Sequence, residues 1–178
     1  MRRHDAHDAE LVVFTKKEGL LSKVAHDLKI RAGRFELEIE GEEAVRLTCP
    51  ATALRVVNAM LDGREAPELL SAKDKVKIED LIAKEVLSAS RHPEIRFVST
   101  RVTPGPDGYR VEGDLSIAGT TRPISASVIR KKTCLDAEVT LRQTDFGIKP
   151  YTALLGALKV QDNLRVLISV PEPEPELS

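Results

Sequence analysis

The 178-residue chain contains no tryptophan, and its four Phe and two Tyr make up only 3% of the composition. Single-stranded nucleic-acid sites are built largely from flat aromatic platforms, and this chain has little to build them from. Charge of one sign is lacking as well: 27 Lys and Arg stand against 28 Asp and Glu, a formal net charge of −1. Without a basic surplus there is no global field to draw in a polyanion, so nucleic acid is set aside as a partner. Long apolar runs are also missing. The longest, Ala153-Leu154-Leu155-Gly156-Ala157-Leu158, falls far short of the roughly 20 residues a membrane helix needs, and no transmembrane segment is expected. Met1-Arg2-Arg3 opens as a signal peptide does, but His4-Asp5-Ala6-His7-Asp8-Ala9-Glu10 stands where the apolar stretch would follow. Only two cysteines are present, Cys49 and Cys134, and the strand phases described next place them on opposite faces. Two reduced thiols and a cytoplasmic location are the expectation.

What the chain does have is alternation. Leu28, Ile30 and Ala32 alternate with Lys29 and Arg31; Phe35, Leu37 and Ile39 alternate with Glu36, Glu38 and Glu40; Val45, Leu47 and Cys49 oppose Arg46 and Thr48. The same period of two recurs at Tyr109–Ile117, at Cys134–Leu141 and at Leu164–Val170, which marks strands with one buried face. Adding Leu11–Lys16, Ile95–Val102 and Ile124–Ile129 gives eight or nine strands. The short links Pro104–Gly108 and Gly119–Thr121 suit hairpins and leave no room for parallel crossovers. One segment changes rhythm: Ile78, Leu81, Ile82 and Val86 recur at helical spacing, predicting an amphipathic helix over 74–90, with Asp74 at its start and Arg91-His92-Pro93 as its stop.

The predicted fold is mainly β: an eight-stranded antiparallel β-barrel, lipocalin-like in outline, with the helix packed beside it. Closure is preferred over a sandwich because it leaves no unpaired edge, and eight strands enclose just enough space for side chains or one slender ligand. Residues 10–170 form the domain, residues 1–9 a flexible N-terminal tail, and residues 171–178 a disordered Pro/Glu tail.

Candidate chemistry is sparse. His4, Asp5, His7 and Asp8 have the composition of a chelate, but a solvated tail offers no frame for one, and no metal is expected. The chain has no Cys-x-x-Cys, no His-Glu-x-x-His and no Gly-rich phosphate loop, so no cofactor is expected either. His26-Asp27 stands where a strand begins, at a barrel rim; adjacent strand residues point to opposite faces, so Asp27 is poorly placed to orient His26. His92 follows the helix, where its cation would favour the dipole. Ser22, Ser99 and Ser116 lack a nucleophile-elbow context, and Cys134, beside Lys131 and Lys132, has no base nearby. No catalytic constellation emerges, and the chain is read as a non-enzyme.

Several segments taken together resemble the YceI-like family. They are His92-Pro93-Glu94-Ile95-Arg96-Phe97-Val98-Ser99-Thr100, the run from Gly108 to Ile124 with its Gly113-Asp114-Leu115-Ser116-Ile117-Ala118-Gly119 core, Asp145-Phe146-Gly147-Ile148, and Gly33-Arg34-Phe35. The resemblance implies a lipocalin-like barrel with a helix beside it and a lumen able to hold a long isoprenoid or similar amphiphile, with no catalytic triad.

The resulting expectation is non-enzymatic binding or carriage of an apolar, chain-like small molecule such as an isoprenoid or fatty acid. Phe14, Leu28, Ile30, Phe35, Leu37, Phe97, Leu115, Ile117 and Phe146 are the candidate lumen contacts, with Leu155 and Leu158, beside Leu154, as an apolar lid. Two alternatives stand beside it: an enzyme using His26 as acid or base on a bound lipid, and a solid-core interaction module that docks partners through the 74–90 helix. A homodimer is compatible with all three readings.

Overall fold

The computed structural model describes residues 1–19 and 26–172. Fifteen short strands, β1 to β15 in chain order, and one α-helix account for most of it. They are β1 (Arg2–Asp5), β2 (Glu10–Thr15), β3 (Lys17–Glu18), β4 (Asp27–Ala32), β5 (Glu36–Glu40), β6 (Ala44–Pro50), β7 (Leu54–Leu61) and β8 (Arg64–Ala66), then α1 (Ala72–Leu81). After the helix come β9 (Glu94–Gly105), β10 (Gly108–Ile117), β11 (Thr120–Arg130), β12 (Cys134–Arg142), β13 (Thr152–Ala153), β14 (Leu158–Val160) and β15 (Asn163–Pro171).

Twelve strands form one antiparallel sheet in the order β1-β5-β6-β9-β10-β11-β12-β15-β2-β4-β7-β8, and β13, β14 and β3 form a small second sheet. The large sheet curls into a half-barrel. The expected closed eight-stranded barrel is therefore corrected: the ladder has two ends, at β1 and β8, and does not return on itself. The reason lies in the first strand, which is broken in two. β1 pairs with β5, through His4 opposite Leu37, whereas β2 pairs with β15 and β4. The turn at residues 6–9 bridges the two sides of the curl covalently, where a closed barrel would have hydrogen bonds.

The N-terminal residues are thus a strand and a turn, in place of the flexible tail expected. Cross-strand charge holds them, with Arg3 2.9 Å from Glu38. Asp8 Oδ1 accepts the Asp5 N–H at 2.9 Å, and Asp5 Oδ1 accepts the His7 N–H at 2.7 Å. At the other terminus β15 runs to Pro171, and Arg130 Nε donates to Glu172 at 2.8 Å; the rest of the expected disordered tail, 173–178, lies outside the described residues.

The helix starts earlier than its apolar periodicity suggests. Ser71 is the N-cap, and Asp74 sits three residues later as its capping-box partner, so two orphan N–H groups at the helix start are satisfied reciprocally. After Leu81 a π-helical turn, Ile82–Val86, finishes the segment. Polar contacts pin it to β7: Glu79 Oε1 accepts the Val56 N–H at 2.9 Å, and Lys75 Nζ donates to Asn58 Oδ1 at 2.9 Å. His92 lies well beyond the helix end, and its ring packs on Gly119 in the β10–β11 turn. That turn needs left-handed backbone at both Ala118 (φ 48°) and Gly119 (φ 80°), the two-residue geometry that matches strand twist. Pro123 is the fourth residue of β11.

Candidate functional site: an elongated apolar cavity

Two clusters of fully buried side chains flank the interior. One gathers Leu11, Phe35, Leu37, Leu47 and Cys49; the other gathers Leu87, Leu115, Leu141, Phe146 and Ile148. Between and around them many inward-facing residues are only half-buried, among them Val13, Ile39, Val45, Ile117, Ile124, Val128, Val139 and Val166. The surface they expose faces a cavity of about 600 Å³ that all of them line, a size typical of small-molecule sites.

The cavity is long. Tyr109, Val111, Leu115 and Ile117 on β10 all line it, and at about 3.3 Å per residue those eight steps span roughly 26 Å. Strand rows from β2, β4, β5, β6, β9, β11, β12 and β15 supply the wall, and Ile78, Leu81, Ile82 and Val86 of the helical segment supply the roof. The helix therefore covers the void with the apolar face that a solid-core docking module would need to present outward; Val76, on the other side, is 58% exposed.

Polar groups occur at the two ends. Arg2, Glu42 and Tyr109 line the end at the β5–β6 and β9–β10 turns, and Lys17, His26, Tyr151 and Lys159 line the end near the small sheet. Tyr109 is turned outward at its tip: its hydroxyl accepts from Arg130 Nη2 at 2.9 Å, and the guanidinium lies 5.4 Å from the ring centre. At the other end Lys159 Nζ is 3.0 Å from Glu18 Oε1. Gln143, the buried polar residue among those described, donates from Nε2 to the Gln161 carbonyl at 2.9 Å.

The sequence-predicted residues divide. Leu28, Ile30, Leu37, Phe97, Leu115, Ile117 and Leu158 line the cavity. Phe14 does not: Val13 and Thr15 take the inward phase, and the Phe14 ring lies outside with the Arg165 guanidinium 4.4 Å from its centre. Phe35 and Phe146 are packed into the two buried clusters. Leu155 is fully exposed at a left-handed turn (φ 55°) and covers nothing; nothing is described of the Leu154 side chain. Only one phenylalanine thus reaches the lumen, and the Phe97 ring is held against the wall at Gly113, where an added Cβ would come within 2.6 Å of it. Alternation located the wall rows, but the roof was missed, although the helical period of Ile78, Leu81, Ile82 and Val86 was legible.

His26 lines one cavity end, and Asp27 is engaged elsewhere, its Oδ1 accepting the Lys17 N–H at 2.8 Å. The N-terminal His and Asp residues border a separate hollow of about 610 Å³, where His4 Nδ1 meets Asp8 Oδ2 at 2.6 Å. The Asp5 backbone N–H and the His4 ring hold the Asp8 carboxyl below the usual carboxylate range. Among the described residues no His, Cys, Asp or Glu group of three or more is arranged to hold a metal ion. Both cysteines are free; burial pushes the Cys49 thiol up to about 11, where it is inert at neutral pH. Among the described residues no helix is long and apolar enough to cross a membrane.

The model of the YceI-like domain matches residues 5–171. The chain belongs to the YceI-like family. Comparison with the curated proteins found no match. Among solved structures the chain is similar to BcnA of Burkholderia cenocepacia, at 14% identity, a TM-score of 0.64, and coverage of 95% of this chain and 99% of that one. It is similar to a polyisoprenoid binding domain from Saccharophagus degradans implicated in plant cell wall breakdown, at 12% identity, a TM-score of 0.56, and coverage of 92% and 94%. The YceI protein of Campylobacter jejuni is a third, at 14% identity, a TM-score of 0.54, and coverage of 83% and 86%. At these identities the likeness is one of fold, and it makes the curled sheet with its helix a YceI-like architecture.

Proposed function

We propose that this YceI-like protein binds and carries an apolar, chain-like small molecule in its cavity, without catalysing a reaction on it. The observation that carries this reading is the shape and lining of the void: about 600 Å³, long, slender and apolar except at its ends. At about 30 Å³ per heavy-atom group, the share of volume a water takes in the liquid, it has room for roughly 20 carbons, or about four isoprene units. An isoprenoid or a fatty acid fits that description, and a polyisoprenoid binding domain among the similar folds supports the first. Apolar contact alone provides the affinity, at about 0.8 kcal/mol per methylene buried, so no strong polar anchor is required.

The reading includes a cytoplasmic setting, supported by the two free thiols. An acid–base role for His26 is not supported by Asp27, whose carboxylate is turned to the Lys17 backbone. The test is organic extraction of the purified protein followed by mass spectrometry, with native mass spectrometry of the intact chain. A co-purifying lipid, or uptake of added geranylgeraniol or palmitate at one molecule per chain, is the expected result; repeated absence of both would remove the proposal.

A further inference from the structure

The wall of the cavity has a break. β11 is paired with β10 along its whole length, from Thr120 opposite Ile117 to Ile129 opposite Gly108. β12 is likewise paired with β15 from end to end. Between these two halves, however, the β11–β12 ladder runs only from Arg130 opposite Leu135 to Ser127 opposite Glu138. Beyond that point the continued register would place Ala126 against Val139, Ser125 against Thr140, and Ile124 against Leu141, and none of these pairs forms. The sequence supplies a cause at Pro123, which has no N–H to give and belongs where a strand is unpaired on one side. No other described strand fills the space, although Phe146, from the turn after β12, packs in one buried cluster with Ile124, Val139 and Leu141 toward the Arg122 end.

The break is bounded at both ends. The Ser127–Arg130 ladder closes one end, and at the other Arg122 Nε donates to the Asp145 carbonyl at 2.8 Å, tying β11 to the turn that follows β12. The unpaired stretch, Pro123 to Ala126, is about 10 Å long, three steps at roughly 3.3 Å per residue. Its inner lips are Ile124 and Ala126 on one side and Val139 and Leu141 on the other, all four lining the cavity. Its outer lips, Ser125 and Thr140, are exposed.

We propose that this slit between β11 and β12 is the portal through which an apolar chain enters and leaves the cavity. The proposal rests on the carrier reading. A slit parallel to the strands lets a long chain pass sideways into a long void, so that it need not thread between the charged groups at either end. Both sides of the slit are fully paired to neighbours, so widening it breaks no ladder hydrogen bond, whereas passage anywhere else through the paired wall from β5 to β10 would.

The experiment closes the slit reversibly. In a Cys134→Ser background, Ser125→Cys with Thr140→Cys is joined by a short reducible bifunctional thiol reagent. The control joins Ser127→Cys with Glu138→Cys, a pair already in register. Uptake and release of a palmitate analogue carrying a fluorescent group are followed by stopped flow. Expected are rates at least about tenfold slower across the 125–140 link, restored on reduction, and unchanged rates across the 127–138 link. Unchanged rates across the 125–140 link, in a protein that takes up the probe normally, would overturn the portal and leave the carrier reading intact. Failure of the unlinked parent to take up the probe would overturn both.

Discussion

Ala137→Phe separates a lumen from a filled core by the sign of its effect on stability. Ala137 lies mid-strand on β12, opposite Val128 and Ile168, and all three line the cavity. In an interior at ordinary density the extra ring would overpack and cost about 1–3 kcal/mol. Here the ring enters empty apolar space. Its six added carbons take up about 180 Å³ at about 30 Å³ each, well within the about 600 Å³ present. Burying a phenylalanine is worth about 1.5–3 kcal/mol, and about 0.5–1 kcal/mol of that is lost to side-chain ordering. The expected gain is about 1–2 kcal/mol, or roughly 2–8 °C in Tm for a domain of this size, measured by thermal and urea unfolding of delipidated protein. The same ring displaces about six groups of a bound chain, which at about 0.8 kcal/mol each is about 5 kcal/mol. Affinity for a fluorescent palmitate analogue should then fall more than a thousandfold. Stability rises while binding is lost. A destabilised variant, or one that binds the probe as tightly as the parent, refutes the reasoning.

Gly113→Ala should destabilise by more than about 2 kcal/mol in urea titrations, because its Cβ would run into the Val98 carbonyl oxygen and come within 2.6 Å of the Phe97 ring at the bulge between β9 and β10; a neutral result would mean Phe97 is free to move into the lumen. Asp136 accepts from Lys131 and, at 2.6 Å, from Ser169 Oγ, and these contacts depress its carboxyl. A depressed folded value contributes stability that is present above the unfolded value near 3.9 and lost as pH falls through the folded one. Asp136→Asn should therefore flatten the acid limb of stability against pH below about pH 4 and, because Asp136 also holds the Lys131 ammonium above its ordinary value, flatten the loss of stability above about pH 10, as followed by unfolding at a series of pH values. Thiol labelling at pH 8 should modify Cys134 first and reach Cys49 only on unfolding, since burial holds the Cys49 thiol at about 11; equal labelling rates by mass spectrometry would contradict its burial.

The sheet was legible where one face is apolar and the other polar, as in Glu36–Glu40 and Leu135–Leu141. It was not legible where that contrast fails. Residues 11–14 read Leu-Val-Val-Phe, apolar on both faces, so nothing in the run itself says that Leu11 and Val13 face inward and Phe14 outward. β7 escaped notice because a bulge leaves Val57 without a partner opposite β4; inward burial then passes from Val56 to Ala59, three residues on, and the period of two is lost. β1 is Arg-Arg-His-Asp and carries no apolar signal at all, its pairing being made by backbone and by Arg3 with Glu38. The site suffered from a different blindness. Alternation says which side chains face inward and is silent on whether they meet, so Ile117 and Leu135 looked equivalent although one is half-buried and the other fully buried. The break between β11 and β12 depends on pairing, which leaves only Pro123 as its trace in the sequence.

A cavity of this size carries an energetic cost that bears on what occupies it. Apolar void costs about 24 cal/mol per Å³ relative to a filled core, so about 600 Å³ corresponds to about 14 kcal/mol. That is as large as the whole net stability of a typical domain, about 5–15 kcal/mol. The ladders from β5 to β11 and from β12 to β7 therefore have to hold the wall apart without help from core packing, and the collapse that would fill the void is opposed by paired backbone on every strand. A chain of about 20 carbons recovers up to about 16 kcal/mol at about 0.8 kcal/mol per group. Lost translational and rotational freedom takes back on the order of 10 kcal/mol. The remainder, about 6 kcal/mol, corresponds to a dissociation constant on the order of tens of micromolar. Binding of that strength would fill the void and still release a guest, which is what the proposed carriage requires and what a permanently sequestered cofactor would not show.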